Sequence, residues 1–280
     1  MKIGDYEIHS IETGTFALDG GAMFGIVPKT IWDKKLTADE SNRIDMALRC
    51  MLITGNNRNI LVDTGIGNKF PKKYAEIYKI HHDETNIGTS LKKHGLSIND
   101  ITDVILTHFH FDHAGGATCF SDGDLKPAFP NATYYIQKDN IDLAYNPSEK
   151  DIGSYREENF EPLKESNKLE ILKGEIEIFP NISIFVSNGH TIGLQHVKVS
   201  ADDKTIVYCS DMIPTTAHLP IPYVMGYDLF PLTTIEEKKR FFYKAAEGDW
   251  MLFFEHDPYI EAIKVRKGEK GFEIKETVEL

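Results

Sequence analysis

The sequence predicts a layered α/β protein in which two sheets face each other and helices lie outside. Three observations carry this expectation. Apolar, β-rich runs fall in two sets along the chain. Stretches with helical spacing lie between and after them. No repeat or linker-like stretch divides the 280 residues, so one domain over residues 1–280 is expected.

The elements follow in order. Lys2 to Phe16 mixes β-branched, aromatic and polar residues and reads as strand, and Asp19-Gly20-Gly21 reads as a turn. Met46 to Thr54 is a nearly continuous apolar run, turned by Gly55-Asn56-Asn57, and Asn59 to Asp63 returns. This predicts a central hairpin buried on both faces. Helical spacing covers Phe70 to Ile80 and Ile87 to His94, with Gly95 as C-cap. Asp103 to Thr107 is a short apolar strand, Thr133 to Ile136 another, and Lys138 to Tyr145 a short helix.

The second strand set is Ile176–Phe179, Ile182–Val186, Gln195–Ser200 and Thr205–Cys209. Thr233 with Glu236, and Thr234 with Glu237, each fit a capping box at the start of the last helix, and Gly248 ends it. Trp250–Phe254 is one more strand. Ala262 to Val278 reads as a polar hairpin around Lys267–Gly271.

Composition bounds the function. With 41% hydrophobic and 26% charged residues, the chain is an ordinary globular protein rather than a disordered or coiled-coil one. The 31 Lys and Arg against 43 Asp and Glu give a net charge of −12, which opposes nucleic acid and anionic membrane as general partners. Cys50, Cys119 and Cys209 form no CxxC and no disulfide framework, and read as small packed residues in a reducing compartment. The N-terminus has no apolar targeting core and no run of 18 apolar residues exists, so a cytoplasmic protein is expected.

The chemistry is concentrated in His108-Phe-His110-Phe-Asp112-His113, directly after an apolar strand. Four metal-capable side chains fall within six residues. His108 and His110, two apart, point to one side in extended backbone. Asp112 and His113 come as the chain turns and face a neighbouring position. Gly115 and Gly116 are expected to let the backbone pass close to whatever is bound. One short loop thereby supplies ligands to two adjacent metals. Three further ligand-type residues follow strands: His190 after Ile182–Val186, Asp211 after Thr205–Cys209, and His256 after Trp250–Phe254.

This pattern resembles the metallo-β-lactamase superfamily, with its HxHxDH motif and later His, Asp and His, over about Leu48 to His256. Within it, Thr107 to Gly116 most resembles the quorum-quenching N-acyl homoserine lactonases and their uncharacterised relatives. The resemblance implies a four-layer αβ/βα sandwich with the site between two central sheets. It implies that His108, His110 and His190 bind a first metal, that Asp112, His113 and His256 bind a second, and that Asp211 bridges them. Asp63, in Leu61-Val-Asp63-Thr-Gly65, matches the superfamily's earlier Asp and is expected to orient a ligand His.

An all nitrogen and oxygen donor set suits two divalent ions: zinc first, with manganese, iron or cobalt as alternatives. Paired metals ~3.5–4 Å apart hold a hydroxide nucleophile and polarise a substrate carbonyl or phosphoryl oxygen. Asp112 is the expected proton carrier to the leaving group. The expected activity is therefore a dinuclear metal-dependent hydrolase acting on a lactone or ester. A phosphotriesterase or arylesterase, and a non-catalytic metal-binding module, stand as alternatives.

Other branches fit less well. Class B β-lactamases use Cys where Asp211 stands. Glyoxalase II carries a helical C-terminal domain, whereas 24 residues follow His256 here. Flavodiiron proteins replace a cluster His with Glu, and nucleic-acid-cleaving members carry a basic groove. The lactonases place a Tyr shortly after the bridging Asp, where this chain has Pro214. Phe24, His218, Tyr223 and Tyr227 are the candidate substrate-pocket residues, with Leu18 to Gly25 as an apolar lip. The expected partner is a small-molecule substrate, and the expected state a monomer or homodimer.

Overall fold

The structure is a computed structural model that describes residues 1–82 and 84–280. Its first sheet contains β1 (Lys2–Ile3), β2 (Tyr6–Asp19), β3 (Arg43–Gly55), β4 (Arg58–Val62) and β5 (Asp103–Ile105). A small separate hairpin, β6 (Thr118–Ser121) with β7 (Asp124–Pro127), precedes β8 (Thr133–Gln137) and β9 (Leu169–Leu172). The seven strands lie in the order β1-β2-β3-β4-β5-β8-β9. The second sheet is a run of neighbours: β10 (Ile176–Phe179), β11 (Ile182–Ser187), β12 (Leu194–Ala201), β13 (Lys204–Tyr208), β14 (Met251–Phe253), β15 (Ala262–Gly268) and β16 (Gly271–Val278).

The apolar run in β3 is buried on both faces because it lies between two cores. Met51 and Ile53 point inward and meet Ile184, Val197, Ile206 and Phe253 of the second sheet. Cys50 and Leu52 point outward and pack under Leu91, Ile141 and Leu163 of the helices Ile87–Lys93, Lys138–Tyr145 and Glu161–Glu165. On the far side, Val207, Leu252 and Ile263 pack against Phe241, Phe242 and Ala245 of the helix Pro231–Glu247. The layers therefore run helix, sheet, sheet, helix, the sandwich that the sequence predicts. Each fully buried Leu, Ile or Phe contributes on the order of 1.5–3 kcal/mol.

Cys50 and Cys209 are buried and Cys119 is half-buried, all three as free thiols. Burial raises the pKa of Cys50 and Cys209, so both stay protonated. No helix among the described residues is long and apolar enough to cross a membrane.

Local departures have physical causes. The helix expected over Phe70 to Ile80 is confined to Lys72–Ile77. Beyond it the backbone turns to pair with β2: Ala17 N–H donates to Tyr78 O, and His81 exchanges hydrogen bonds with Thr15. Asp19-Gly20-Gly21 starts a short helix, Gly20–Phe24, because the Asp19 carboxylate caps it at Ala22 N. The last helix begins at Pro231, ahead of both expected capping boxes, since Pro at its first position is already set in φ. Thr234 bonds back to Phe230 O, and Glu237 reaches away from its own helix.

Candidate metal centre

The site lies where several strands end together. β4 and β5 are parallel, which brings Asp63 beside the loop after Ile105. In the second sheet, β12 is antiparallel to both β11 and β13, and β14 is parallel to β13. Hence β11, β13 and β14 all exit in one direction, and each releases one of His190, Asp211 and His256.

Those exits face the motif loop. His108, His110, His190 and Asp211 form one group whose ligand atoms lie within 4.8 Å of one another. Asp112, His113 and His256 form a second. Asp211 lies between the two. Its Oδ2 is 3.1 Å from His190 Nε2 and 3.8 Å from His108 Nε2. The same oxygen is 3.4 Å from His113 Nε2, and Oδ1 is 3.3 Å from His256 Nε2. Asp112 approaches His113 Nε2 at 3.9 Å and His256 Nε2 at 3.7 Å. All seven side chains are buried.

The residues fit divalent cations. His108 Nε2, His110 Nε2 and Asp211 Oδ1 are buried without a hydrogen-bond partner among the described residues. Orphaned buried imidazole nitrogens and a carboxylate oxygen cost several kcal/mol unless something completes them. Burial first, then the neighbouring imidazoles, holds His108 and His110 well below the usual histidine pKa, so both are neutral donors. Burial opposes the carboxylate of Asp211, but His113 and His190 outweigh it and hold its pKa well below the usual range.

Four of the five imidazoles are anchored through an Nδ1 that faces away from the centre. His190 Nδ1 lies 2.9 Å from Asp228 Oδ1, and His256 Nδ1 lies 3.0 Å from Ala47 O. His108 Nδ1 lies 3.0 Å from Thr107 Oγ1. Asp63 accepts from Thr107 N and Oγ1 at 2.7 Å each, and its Oδ2 is 3.1 Å from His113 Nδ1. A second buried carboxylate, Glu255, approaches the same Nδ1 at 2.8 Å. Burial lifts Glu255 to about 7 against the opposing pull of His113. The loop carrying His190 is held by Glu237, which accepts from Asn188 N and Gly189 N.

Two glycines act differently from expectation. A Cβ on Gly115 would meet Ile66 O at 2.1 Å, and one on Gly116 would meet Thr64 O at 2.2 Å. Their role is to let the motif loop press against the turn after β4, not to approach a ligand.

A cavity of about 260 Å³ opens over the cluster and exposes His110, Asp112, His190, Asp211 and His256 at its floor. Leu18, Met23, Met46, Phe111 and Met225 form apolar wall, so the expected lip does reach the site. Of the four candidate pocket residues, Tyr227 alone lines the cavity. Phe24 is buried between Trp32 and His218. His218 lies with Nδ1 2.8 Å from Thr215 Oγ1 and Nε2 2.9 Å from Met23 O, so both nitrogens hold the loop. Tyr223 packs edge-on to Phe24. These three are therefore structural supports.

The sequence reading passed over Asp228, Glu255, Tyr78 and the segment Lys150–Ser154, all at the site. Asp228 and Glu255 carried a signal, since each is an acidic residue next to an element already assigned to the site. Tyr78 and Lys150 carried none.

Fold and site together define a metal-dependent hydrolase built on an αβ/βα sandwich. The chain belongs to the metallo-beta-lactamase superfamily, whose profile matches residues 48–256. It is 28% identical over 250 residues to an N-acyl homoserine lactonase of Bacillus cereus, covering 84% of this chain and 89% of that one. It superimposes on a probable metal-dependent hydrolase from Staphylococcus aureus with TM-score 0.89 and 33% identity, over 99% of this chain and 100% of that one. The fold is also that of AidC, a dizinc quorum-quenching lactonase in complex with a product. There the TM-score is 0.83 and the identity 22%, over 100% and 97% of the two chains.

Proposed function

We propose that this protein is a two-metal hydrolase that cleaves the carbonyl–oxygen bond of a lactone or ester. The observation that carries the reading is the convergence of seven ligand-type side chains, in two groups with Asp211 within 3.4 Å of members of both, beneath a cavity with a largely apolar wall. The naming of its relative from Bacillus cereus as an N-acyl homoserine lactonase supports the lactone.

His108, His110 and His190 would hold one cation and Asp112, His113 and His256 the other, with Asp211 within reach of both. Zinc is the first candidate, since nitrogen and carboxylate donors suit it. Two such cations supply Lewis acidity at the substrate carbonyl and a water acidic enough to act as nucleophile at neutral pH.

The chain's own groups do the rest. Asp112, on the cavity floor, would help hold the second cation and carry a proton to the leaving alkoxide. Tyr227, on the cavity wall, places its phenol near the reacting carbonyl, as a hydrogen-bond donor in place of the tyrosine displaced by Pro214. The apolar wall packs the acyl part and excludes water. Asp63 and Asp228 fix the ring orientations of His113 and His190.

The test is elemental analysis of protein purified without chelator, followed by turnover of lactones and aryl esters. Two metals per chain and ring opening abolished by chelation are expected. One metal or none at full occupancy overturns the dinuclear reading, and no turnover of either class overturns the hydrolysis.

A further inference from the structure

Apart from the candidate metal ligands, one cavity-lining side chain among the described residues has a buried polar atom without a partner. Asp151 lines the cavity in the turn before the short helix Ile152–Ser154, and is 5% exposed. Its Oδ1 accepts from Ser148 N at 2.7 Å and from Ser148 Oγ at 2.6 Å, which fixes the carboxylate. Its Oδ2 is buried and has no hydrogen-bond partner among the described residues. The adjacent ammonium does not serve it: Lys150 Nζ donates to Tyr227 O at 2.9 Å and Asp228 O at 2.8 Å.

A buried carboxylate oxygen without a donor is costly, and a ligand that brings the donor recovers that cost on binding. The other polar groups of the wall, the Tyr78 and Tyr227 phenols, the Ser154 hydroxyl and the Lys150 ammonium, can all donate, whereas this oxygen can only accept, so it is the one that selects for a donor on the ligand. We propose that Asp151 is a specificity-determining residue that accepts a hydrogen bond from an uncharged donor on the substrate, an amide N–H first. A cationic donor is disfavoured by Lys150 and by the dications for which the floor is built. The inference rests on the lactone or ester reading above and adds the residue that selects, within that class, substrates bearing an N–H near the scissile carbonyl.

Asp151→Asn separates this from a structural role. The asparagine carbonyl keeps the Ser148 contacts, while an NH₂ replaces Oδ2 and turns acceptor into donor. Four substrates are compared on metal-loaded enzyme by product chromatography. The first pair is N-hexanoyl homoserine lactone and α-hexanoyloxy-γ-butyrolactone, in which oxygen replaces the N–H. The second pair is the 4-nitrophenyl esters of hexanoylglycine and of hexanoyloxyacetic acid.

Asp151→Asn should lower kcat/KM for the N–H member of a pair by about tenfold or more, chiefly through KM. The oxygen member should change less than about twofold, with metal content unchanged. Equal losses within a pair, or no loss, overturn the role of Asp151. Wild-type enzyme that cleaves the aryl esters but opens neither lactone removes the lactone reading alone, and the ester pair then decides Asp151 by the same criterion. No turnover of any of the four overturns both.

Discussion

Replacing Asp228 with Ala should weaken one metal position and spare the other. Asp228 is 3% exposed, and its Oδ1 lies 2.9 Å from His190 Nδ1, opposite the nitrogen that faces the cluster. It therefore fixes the tautomer and makes the ring a better donor, a contribution typically of 10–100-fold in metal affinity, or about 1.4–2.7 kcal/mol. Proton competition acts the other way. Burial opposes a charge on His190, but Asp211 and Asp228 outweigh it and lift the ring to about 9. Below that pH a metal must displace a proton. Removing Asp228 lowers this pKa and so eases the displacement. The net loss should thus be largest at about pH 10.5, where the ring is mostly free of its proton in both proteins, and smaller near pH 6.5. Competition against a chromogenic chelator at both pH values reads the two sites as separate phases. Equal weakening of both phases, or a loss that grows as pH falls, would refute the assignment.

Asp112→Asn should cut lactone turnover by at least ~10² while sparing aryl esters more, because an alkoxide needs the proton that an aryloxide does not. Rates at matched metal loading give the ratio, and equal losses would reduce Asp112 to a ligand. Changing Cys50, Cys119 and Cys209 together to Ala should leave metal content intact, since none lies in either ligand group. Loss of metal from a folded triple variant would overturn the ligand set. Burial presses the pKa of Lys238 down to about 7. Between that value and its unfolded pKa the unfolded chain binds more protons, so this residue's contribution to stability rises with pH. Urea unfolding of wild type and Lys238→Met should show a stability difference that shifts in favour of the wild type from pH 7 to 10. A constant difference would mean that the buried ammonium stays charged throughout.

The sandwich and the seven clustered side chains were legible for one reason. Strand period and strand ends are local properties, and ligands that follow strands running in one direction must converge. His190, Asp211 and His256 needed only the apolar runs before them. The groups that hold those ligands were not legible, because their pairings span the fold: Asp228 meets His190 across 38 positions and Glu237 meets Asn188 across 49. Glu237 also shows how a local rule misleads. It fits a capping box, yet Pro231 had already started the helix and freed it to hold the loop instead.

The cavity wall illustrates the same limit more sharply. The segment from Pro214 to Asp228 has little regular structure, and its aromatic and imidazole side chains looked interchangeable as substrate contacts. Their directions are decided by Lys238, on the helix Pro231–Glu247. It is fully buried and donates to His218 O, Pro220 O and Tyr223 O at 2.7, 3.2 and 2.6 Å. With those carbonyls fixed, His218 and Tyr223 serve the loop. Gly226 N–H donates to Ala22 O, and the neighbouring Tyr227 is left on the cavity. The candidate metal ligands thus stand at strand ends, whereas the cavity wall is set by irregular loops held by distant buried polar groups. Substitutions at Lys238 should accordingly alter which substrates are cleaved before they alter how many metals are bound.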